Sequence, residues 1–340
     1  MTDKTAAQGE LLYNRLTKRY RHLLKWARRT GTNAFRLYDR DIPEIPLVLD
    51  LYGGAVSGAY FLKDDEDSEN SEAWLQAMKA QIARALDIDE DRVFLKERYR
   101  MKRRQETGNQ YTRTPGRSVY RDVAEGDLLY RVNLSNYLDA GLFLDARKKR
   151  ALIRSAAEGK RVLNLFAYTC SLSVAAAKGA ARQVDSVDLS NTYLEWGQIN
   201  FALNGLESRC VEAEEFLRSP VHGENTLIRD DATRFIQRAA AKHLRWDLII
   251  LDPPSFSNSK KMRGTLDIRR DYLDLIRRCL SLLSPGGTLW FSSNARGFKP
   301  DNVDFLNYSI KDMGKELTDE DFMGKKIPLC YIFTAKDELS

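Results

Sequence analysis

The chain has 340 residues, of which 43% are apolar and 30% are charged. Chains of this length usually form more than one hydrophobic core, so we predict one large domain and a smaller one. No apolar run reaches the length of a membrane span or of a signal-peptide core. This pattern excludes both classes and favours a soluble, cytoplasmic protein.

The cysteines and histidines argue against metal chemistry and against a disulfide framework. Cys170, Cys210, Cys279 and Cys330 are scattered without a CxxC pair, and the three histidines have no ligand-like neighbours. Structural zinc sites and disulfide-rich domains both show characteristic spacings that are missing here. We therefore expect no bound metal.

Positive charge is modest in total, at +6, but unevenly placed. Residues 15–29 hold seven cations and no carboxylate, whereas residues 92–121 hold ten cations and two carboxylates. Such clusters attract phosphate groups and make binding salt-dependent, although a solvated helix face and a solvated loop are the alternative. The cations that we predict to contact phosphates in these runs are Arg15, Lys18, Arg19, Arg100, Lys102, Arg103 and Arg104.

The N-terminal part has the pattern of a small α+β domain. Apolar residues at three- and four-residue steps predict a helix over 11–29, ended by Gly31. Short apolar runs predict an antiparallel set of strands at 35–38, 47–52 and 58–62. A second helix around 74–86, a strand at 93–95 and a hairpin of 118–123 with 128–134 complete this part. We predict that residues 1–136 form this accessory domain, with a loop at 98–116.

From residue 137 the pattern alternates between strands and helices. Continuous apolar runs predict buried parallel strands at 162–166, 184–189, 226–229, 248–251 and 288–291. Helical patterns occupy 171–178, 192–203, 232–241 and 269–283, and a late strand at 329–333 suits an antiparallel edge. Residues 137–340 are therefore predicted to form a Rossmann-like α/β domain, mostly parallel, with helices on both faces.

The strand ends of this predicted sheet carry the polar residues of a ligand site, because ligands of such sheets bind beyond the carboxyl ends of the strands. The first strand leads from Asn164 through a turn of small and polar residues to Ser171, which begins a helix. No GxGxxG motif is present, so a cofactor without phosphates is favoured over a dinucleotide.

Acidic residues follow the next three strands. Asp188 ends the second strand, from which a carboxylate reaches ribose hydroxyls, although a capping role is the alternative. Asp230 and Asp231 end the third strand, where a carboxylate can accept from an adenine amino group. Asp252 ends the fourth, and Pro253 and Pro254 stiffen the turn after it. This combination predicts a site for S-adenosylmethionine.

Several segments extend this pattern beyond a bare methyltransferase signature. They are Asn14-Arg15-Leu16, Lys25-Trp26-Ala27-Arg28-Arg29, Arg36-Leu37-Tyr38-Asp39, Asn109-Gln110-Tyr111, residues 137–147 (YLDAGLFLDAR), residues 164–171 (NLFAYTCS), Thr192-Tyr193-Leu194-Glu195-Trp196, Asn204-Gly205-Leu206, residues 252–260 (DPPSFSNSK) and Arg296-Gly297-Phe298. On these segments, which span nearly the whole chain, the sequence resembles the RlmK/RlmKL family of 23S rRNA guanine-N7 methyltransferases.

This resemblance implies an rRNA substrate, an N-terminal region that helps to hold RNA, and a cofactor site walled by residues 141–147. From its residues alone, the segment 141–147 is equally compatible with a helix leader that contains an internal ion pair. The cofactor-binding residues that we predict are Phe143, Asp145, Arg147, Asn164, Phe166, Tyr168, Thr169, Cys170, Ser171, Asp188, Leu189, Asp231, Ala232 and Asp252. Cys170 replaces the glycine of the family's Tyr-Thr-Gly-Ser turn. We also expect a standalone version of one activity, without the second methyltransferase half of the fused family members.

Methylation of guanine N7 needs no deprotonation and no covalent intermediate, so positioning dominates. We predict the reaction centre at Asp252, Pro253, Pro254 and Phe256, with the Phe256 ring stacking on the target base, although core packing is the alternative for that ring. Phosphate contacts near this turn are predicted for Lys260, Lys261 and Arg263.

Two other functions stay open. Cytosine carbon-5 methylation shares the Pro-Pro-x-Phe strand end, but it requires a cysteine nucleophile, and the fifth strand is followed by Ser292, Ser293 and Asn294. A non-catalytic RNA-binding or ribosome-assembly module is compatible with the basic runs, although pure binding would not require three strand-end carboxylates.

Overall fold

The structure is a computed structural model that describes residues 3–61, 68–98, 118–137, 139–220, 223–257, 266–295, 297, 299–300 and 302–336. The predicted phosphate-binding residues outside this range are Arg100, Lys102, Arg103, Arg104, Lys260, Lys261 and Arg263. The chain divides into two compact units. The first comprises Met1–Leu144 and Glu320–Lys325, and the second Asp145–Asp319 and Lys326–Ser340.

The first unit is a mixed α+β fold. Its helices are α1 (Asp3–Thr30) and α2 (Ser68–Leu86), and its strands are β1 (Ala34–Asp39), β2 (Leu47–Tyr52), β3 (Ala55–Phe61), β4 (Val93–Arg98), β5 (Tyr120–Glu125) and β6 (Leu128–Asn133). The sheet order is β1-β2-β3-β4, with β5 and β6 as a separate hairpin. The pairs β1–β2 and β2–β3 are antiparallel, as predicted, while β4 joins β3 in parallel.

Helix α1 buries one face and leaves the other in solvent. Leu12, Leu16 and Leu23 are fully buried in a core shared with β1, β2 and α2, as their three- and four-residue spacing predicts. The helix ends at Gly31, which adopts a φ of 70°, and the amide of Thr32 donates to the carbonyl of Ala27 over 2.9 Å. Glycine suits this position because left-handed φ values strain other residues.

The segment Glu320–Lys325 packs within the first unit, although our sequence analysis assigns it to the second domain. Asp321 is fully buried, and its Oδ2 accepts the backbone amide of Arg36 over 2.9 Å. Lys325 Nζ donates to the carbonyl of Asp39 over 2.7 Å and to Oδ1 of Asp41 over 2.5 Å. We call residues 320–325 the clasp.

The second unit is a doubly wound α/β fold. Its helices are α3 (Arg147–Ala156), α4 (Ser171–Lys178), α5 (Asn191–Leu203), α6 (Ala213–Arg218), α7 (Ala232–Ala241) and α8 (Ile268–Leu280). Its strands are β7 (Arg161–Leu165), β8 (Gln183–Asp188), β9 (Arg209–Glu212), β10 (Asn225–Arg229), β11 (Trp246–Leu251), β12 (Phe256–Ser257), β13 (Leu266–Asp267), β14 (Leu283–Ser293), β15 (Tyr308–Asp312) and β16 (Leu329–Ala335).

Eight of these strands form one sheet in the order β15-β16-β14-β11-β7-β8-β10-β9. The strands from β14 to β9 are parallel to their neighbours, whereas β16 and β15 are antiparallel. The predicted fold class, with its antiparallel edge, is confirmed. Two short edge strands, β9 and β15, and helices α3 and α6 were not predicted. The predicted helix 269–283 ends earlier, at Leu280, because Leu283 begins β14.

Alternating side chains cover both faces of this sheet. Leu163, Leu165 and Ile249 point into a core with α7 and α8, while Val162 and Ile250 point into a core with α3 and α4. Buried apolar residues on both faces explain the continuous apolar runs in the sequence. Among the described residues, no helix is long and apolar enough to cross a membrane.

Candidate cofactor and active site

The turn between β7 and α4 is held in an unusual backbone conformation. Phe166, Tyr168 and Cys170 adopt positive φ values of 58°, 52° and 61°, a region that non-glycine residues rarely occupy. Hydrogen bonds maintain it, because the amide of Ala167 donates to the carbonyl of Val187 over 3.0 Å and the amide of Cys170 to the carbonyl of Ala167 over 2.8 Å. Strain of this kind concentrates where backbone must meet a ligand.

Asp188 fastens this turn to the end of β8. Its Oδ2 accepts the amide of Tyr168 over 2.8 Å, and its Oδ1 accepts the amide of Ser190 over 2.9 Å. Burial raises the pKa of Asp188 to about 6, and the backbone hydrogen bonds limit that rise. The backbone amide of Leu189 also donates to this carboxylate. A carboxylate offers about four acceptor positions, so the three amides leave room for a further donor, and contact with ribose hydroxyls stays a prediction. Ser190, rather than Asp188, caps α5.

Asn164 lies behind the turn in a small polar cluster. It is 1% exposed, its Nδ2 donates to Oγ of Ser173 over 2.8 Å, and Ser186 donates to the same Oγ over 2.7 Å. Among the described residues, none donates to the buried Oδ1 of Asn164. An unsatisfied buried acceptor near the end of β7 fits a ligand with an amino group, since buried polar atoms are almost always paired.

Cys170 occupies the position for which the family resemblance implies a glycine. Its side chain is fully buried, and a Cβ placed on Gly197 of α5 would lie 2.6 Å from Sγ of Cys170. The missing side chain of Gly197 therefore makes room for Cys170. Burial raises the pKa of the Cys170 thiol far above its usual range, which keeps it protonated and unreactive.

The acids after β10 have structural partners. Asp230 is buried between Arg234 and Arg238, with 3.1 Å from Nη1 of Arg238 to its Oδ2. Asp231 is the N-cap of α7, since its Oδ1 accepts the amide of Arg234 over 2.9 Å and the hydroxyl of Thr233. No described residue donates to Oδ2 of Asp231, and contact of that oxygen with an adenine amino group stays a prediction.

Asp252, at the end of β11, is held by two residues that our sequence analysis missed. Lys149 Nζ donates to its Oδ2 over 2.8 Å, and Ser292 Oγ donates to its Oδ1 over 2.7 Å. A signal for Lys149 exists in the sequence, because α3 begins with four consecutive cations, which the helix dipole disfavours unless they have acidic partners. Pro253 is buried behind the turn, Pro254 is partly buried, and Ser255 is exposed.

Four further residues were predicted for the site: Phe143, Asp145, Arg147 and Phe256. The side chain of Phe256 lies outside the described part of the structure, although its backbone pairs with Asp267 in a two-stranded ladder. Phe143 belongs to the first unit and is 43% exposed. Arg147 is buried at the start of α3 and pairs with Asp319 over 3.0 Å. Asp145 lies in the short helical turn that precedes α3.

The four strands β11, β7, β8 and β10 are adjacent and parallel, so their carboxyl ends lie along one edge of the sheet. The structure thereby brings together the predicted residues that lie at or just after the carboxyl ends of these strands: Asn164, Phe166, Tyr168, Thr169, Cys170, Ser171, Asp188, Leu189, Asp231, Ala232 and Asp252. Spaced acceptors with a strained turn suit a nucleoside carrying an amino acid tail, and among the described residues no His, Cys, Asp or Glu group is arranged to hold a metal.

Comparison with known proteins agrees with this geometry. The profile of a family described as S-adenosylmethionine-dependent methyltransferase matches residues 64–308. The chain belongs to this family. Its members use S-adenosylmethionine, so the predicted cofactor and the predicted enzyme class are confirmed.

Relatives of this methyltransferase share most of its length. Ribosomal RNA large subunit methyltransferase K of Neisseria meningitidis serogroup B is 40% identical over 323 residues, which cover 94% of this chain and 85% of that protein. Ribosomal RNA large subunit methyltransferase K/L of Pseudomonas savastanoi pv. phaseolicola is 41% identical over 92% of this chain and 39% of that protein. The resemblance predicted from the sequence is confirmed.

A solved structure shares the fold. SMU.776, a methyltransferase crystallised in complex with SAH, superposes with a TM-score of 0.69 over 96% of this chain and 82% of that chain. The two are 23% identical, so this similarity shows the fold of this methyltransferase and not its substrate.

Proposed function

We propose that this methyltransferase acts in the cytoplasm and methylates guanine N7 in 23S rRNA. The observation that carries the proposal is the edge of acceptors at Asp188, Asp231 and Asp252 beside the strained turn, in a chain similar over most of its length to a ribosomal RNA large subunit methyltransferase K. When bound, S-adenosylmethionine supplies an electrophilic methyl group. The protein then has to hold and orient a base, because guanine N7 carries a free lone pair and needs no general base.

The thiols support N7 over cytosine carbon-5 methylation. Burial raises the pKa of Cys279 far above its usual range and that of Cys330 to about 12. Cys210 is exposed on the edge strand β9, which β7, β8 and β10 separate from β11 and Asp252. Carbon-5 chemistry needs a thiolate, and burial disfavours the thiolate at Cys170, Cys279 and Cys330. Cys330 is the most informative cysteine to replace. It lies opposite Ser292 in the sheet, at the strand end where the carbon-5 function would need its nucleophile.

The test is methylation of rRNA from cells that lack the gene, followed by mass-spectrometric mapping of modified nucleotides. We expect one new 7-methylguanosine that depends on added protein and S-adenosylmethionine. The Cys330→Ala variant should form the same product. A new 5-methylcytidine, lost in Cys330→Ala, would establish the carbon-5 function instead, and absence of any transfer would favour the binding module.

The outer face of α1 is the part of the first unit that we propose for holding the RNA backbone. Lys18, Arg21, Lys25 and Arg28 follow one another at steps of three, four and three residues, so they line one side of the helix, and all four are exposed. They extend over about 15 Å along the axis. None of them forms an ion pair with a described residue. We call these four residues the basic stripe.

The other predicted cations of α1 already have partners within the unit. Arg15 pairs with Asp41 over 2.8 Å, and Arg19 donates to the carbonyls of Leu37 and Asp321 over 2.9 and 2.8 Å. These two guanidiniums are therefore committed to internal contacts. The structure favours the basic stripe over Arg15 and Arg19 as the phosphate-binding set, with Lys18 common to both.

Neutralising the basic stripe should weaken RNA binding with little dependence on sequence. For Lys18→Gln, Arg21→Gln and Lys25→Gln combined, we expect the log–log salt slope to flatten by about 0.7 per lost contact on single-stranded RNA. Filter binding across a salt series measures this slope. The matched control, Arg15→Gln with Arg19→Gln, should lower the melting temperature and leave the slope unchanged. Equal slopes for the triple variant and the wild type would contradict the proposed RNA path.

A further inference from the structure

Lys149 is a buried ammonium group in an unfavourable position. It lies in the first turn of α3, where the helix dipole repels cations, and it is 4% exposed. A buried lysine is costly unless its charge is paired and its hydrogen bonds are made. The groups that Lys149 contacts therefore decide whether its charge can be buried at this position.

The contacts form a closed set of three side chains. Lys149 Nζ donates to Oδ2 of Asp252 and to Oγ of Ser292, each over 2.8 Å, and Ser292 Oγ donates to Oδ1 of Asp252 over 2.7 Å. Each carboxylate oxygen of Asp252 is thus held by one donor. The side chain of Asp252 is still 30% exposed, so the acceptor positions that remain on its two oxygens are open to a ligand.

The three residues come from three elements that meet at the site edge. Asp252 ends β11, Ser292 lies near the end of the neighbouring strand β14, and Lys149 comes from the helix that precedes β7. Asp252 also begins the Asp-Pro-Pro-Ser turn, in which neither proline offers an amide donor. Lys149 and Ser292 therefore determine the direction of the Asp252 carboxylate, because the turn itself has few groups with which to do so.

We propose that Lys149 is a positioning residue for methyl transfer, acting through Asp252. The inference rests on the proposed function and adds to it that Asp252, at the predicted reaction centre, orients the target base. A carboxylate held in one direction and paired with an ammonium fits the donor edge of guanine, which presents N1–H and the N2 amino group, and not adenine, which presents an acceptor at N1. Positioning groups act by holding the reacting atoms in line.

The test compares Lys149→Met with Asp252→Asn, the double variant and a matched control, Lys148→Met. Lys148 is the adjacent lysine of the same helix, and its Nζ donates to the backbone carbonyl of Thr318 over 2.6 Å rather than to a carboxylate. Single-turnover methyl transfer to rRNA at saturating cofactor measures the rate, calorimetry measures the SAH dissociation constant, and thermal unfolding reports the folded fraction.

We expect Lys149→Met to slow the transfer at least tenfold while the SAH dissociation constant changes less than threefold. The double variant should be no slower than Asp252→Asn within twofold, because the two residues act as one unit. Lys148→Met should transfer at the wild-type rate. If Lys149→Met is poorly folded, Ser292→Ala removes the other donor with less disturbance and should slow transfer three- to tenfold.

Two results would overturn the inference. The first is a Lys149→Met or Ser292→Ala rate within twofold of wild type, and the second is a double variant whose losses multiply. A wild-type product other than 7-methylguanosine would defeat the proposed function instead, and the same four rates, measured on that product, would still decide the role of Lys149.

Discussion

The site includes three residues with a strained backbone conformation: Phe166, Tyr168 and Cys170. Each adopts a left-handed φ that costs a non-glycine residue on the order of 1 kcal/mol. The carboxylate of Asp188 compensates by accepting the amides of Tyr168 and Ser190. One acid therefore both shapes the turn and offers acceptors to the cofactor.

Asp188→Ala should weaken S-adenosylmethionine binding by about 1–3 kcal/mol, because it removes charge-assisted hydrogen bonds. Calorimetry of the folded variant measures this loss. Asp188→Asn retains one acceptor and should lose less. Unchanged affinity in Asp188→Ala would show that Asp188 serves only the turn.

The contact between Cys170 and Gly197 predicts a compensating pair. Gly197→Ala places a Cβ 2.6 Å from Sγ of Cys170, so we expect a loss of about 1–3 kcal/mol in the free energy of unfolding from overpacking. Cys170→Gly in the same chain should recover part of that loss, since it removes Sγ and relieves the positive φ. Urea denaturation of the two single variants and the double variant measures the coupling, and additive losses would refute it.

At the scale of elements, the clasp is held both by buried charge and by the ring of Phe322, which is 2% exposed and lies against the Arg36 guanidinium. Asp321 is fully buried and accepts the amide of Arg36, while Lys325 pairs with Asp41. Burial alone would raise the pKa of Asp41, but the hydrogen bonds from Lys325 and Arg15 outweigh it and lower the pKa. The clasp thereby uses Arg15 and Arg19, whereas the basic stripe keeps its charges in solvent.

Asp321→Ala should lower the free energy of unfolding of the first unit by about 1–3 kcal/mol, because the buried amide of Arg36 loses its acceptor. Differential scanning calorimetry reports the change. Glu320→Gln, which weakens the exposed pair with His22, should stay within about 0.5 kcal/mol of wild type. Comparable effects from both changes would mean that the clasp is not fastened through Asp321.

At the scale of the whole molecule, the second unit contains a buried carboxyl that is held by neutral donors. Asp185 is fully buried in β8, with hydrogen bonds from Nε2 of Gln183 and, over 2.7 Å, from Nε1 of Trp246. Burial raises its pKa from 3.8 to about 6, and the hydrogen bonds limit the rise. The native state thus binds a proton more tightly than the unfolded chain does.

This difference in proton binding makes the stability of the native state depend on pH in one direction. Between about pH 4 and pH 6 the native state binds more protons at Asp185, so its contribution to stability falls as pH rises through that window. Asp185→Asn should remove this contribution, which amounts to about 3 kcal/mol at most. Carboxyls with a lowered pKa, such as Asp41, change stability in the opposite direction. The measurement is therefore a difference: the pH dependence of the free energy of unfolding of the wild type minus that of Asp185→Asn, from urea titrations between pH 4 and pH 7. Parallel curves would contradict the raised pKa.

Much of the second unit and its site edge was predictable from the sequence. Continuous apolar runs between helical patterns specified strands β7, β8, β10, β11 and β14, because burial on both faces leaves a local signature. The parallel arrangement then places the residues after each strand at one edge. Asp188, Asp231, Asp252 and the turn after Asn164 could be named on that basis, whereas the short edge strands β9 and β15 have too few buried positions to leave such a signature.

The sequence by itself therefore determined the fold class, the methyltransferase family and the acids at the strand ends, since all of these depend on local periodicity and short motifs. Only the tertiary structure decided which charges are exposed and which are paired. Arg19 and Asp321 are 302 residues apart, and Lys149 and Asp252 are 103 apart. Partners at such separations are chosen by packing, which no local pattern encodes, because a side chain loses solvent only when the whole chain has folded around it.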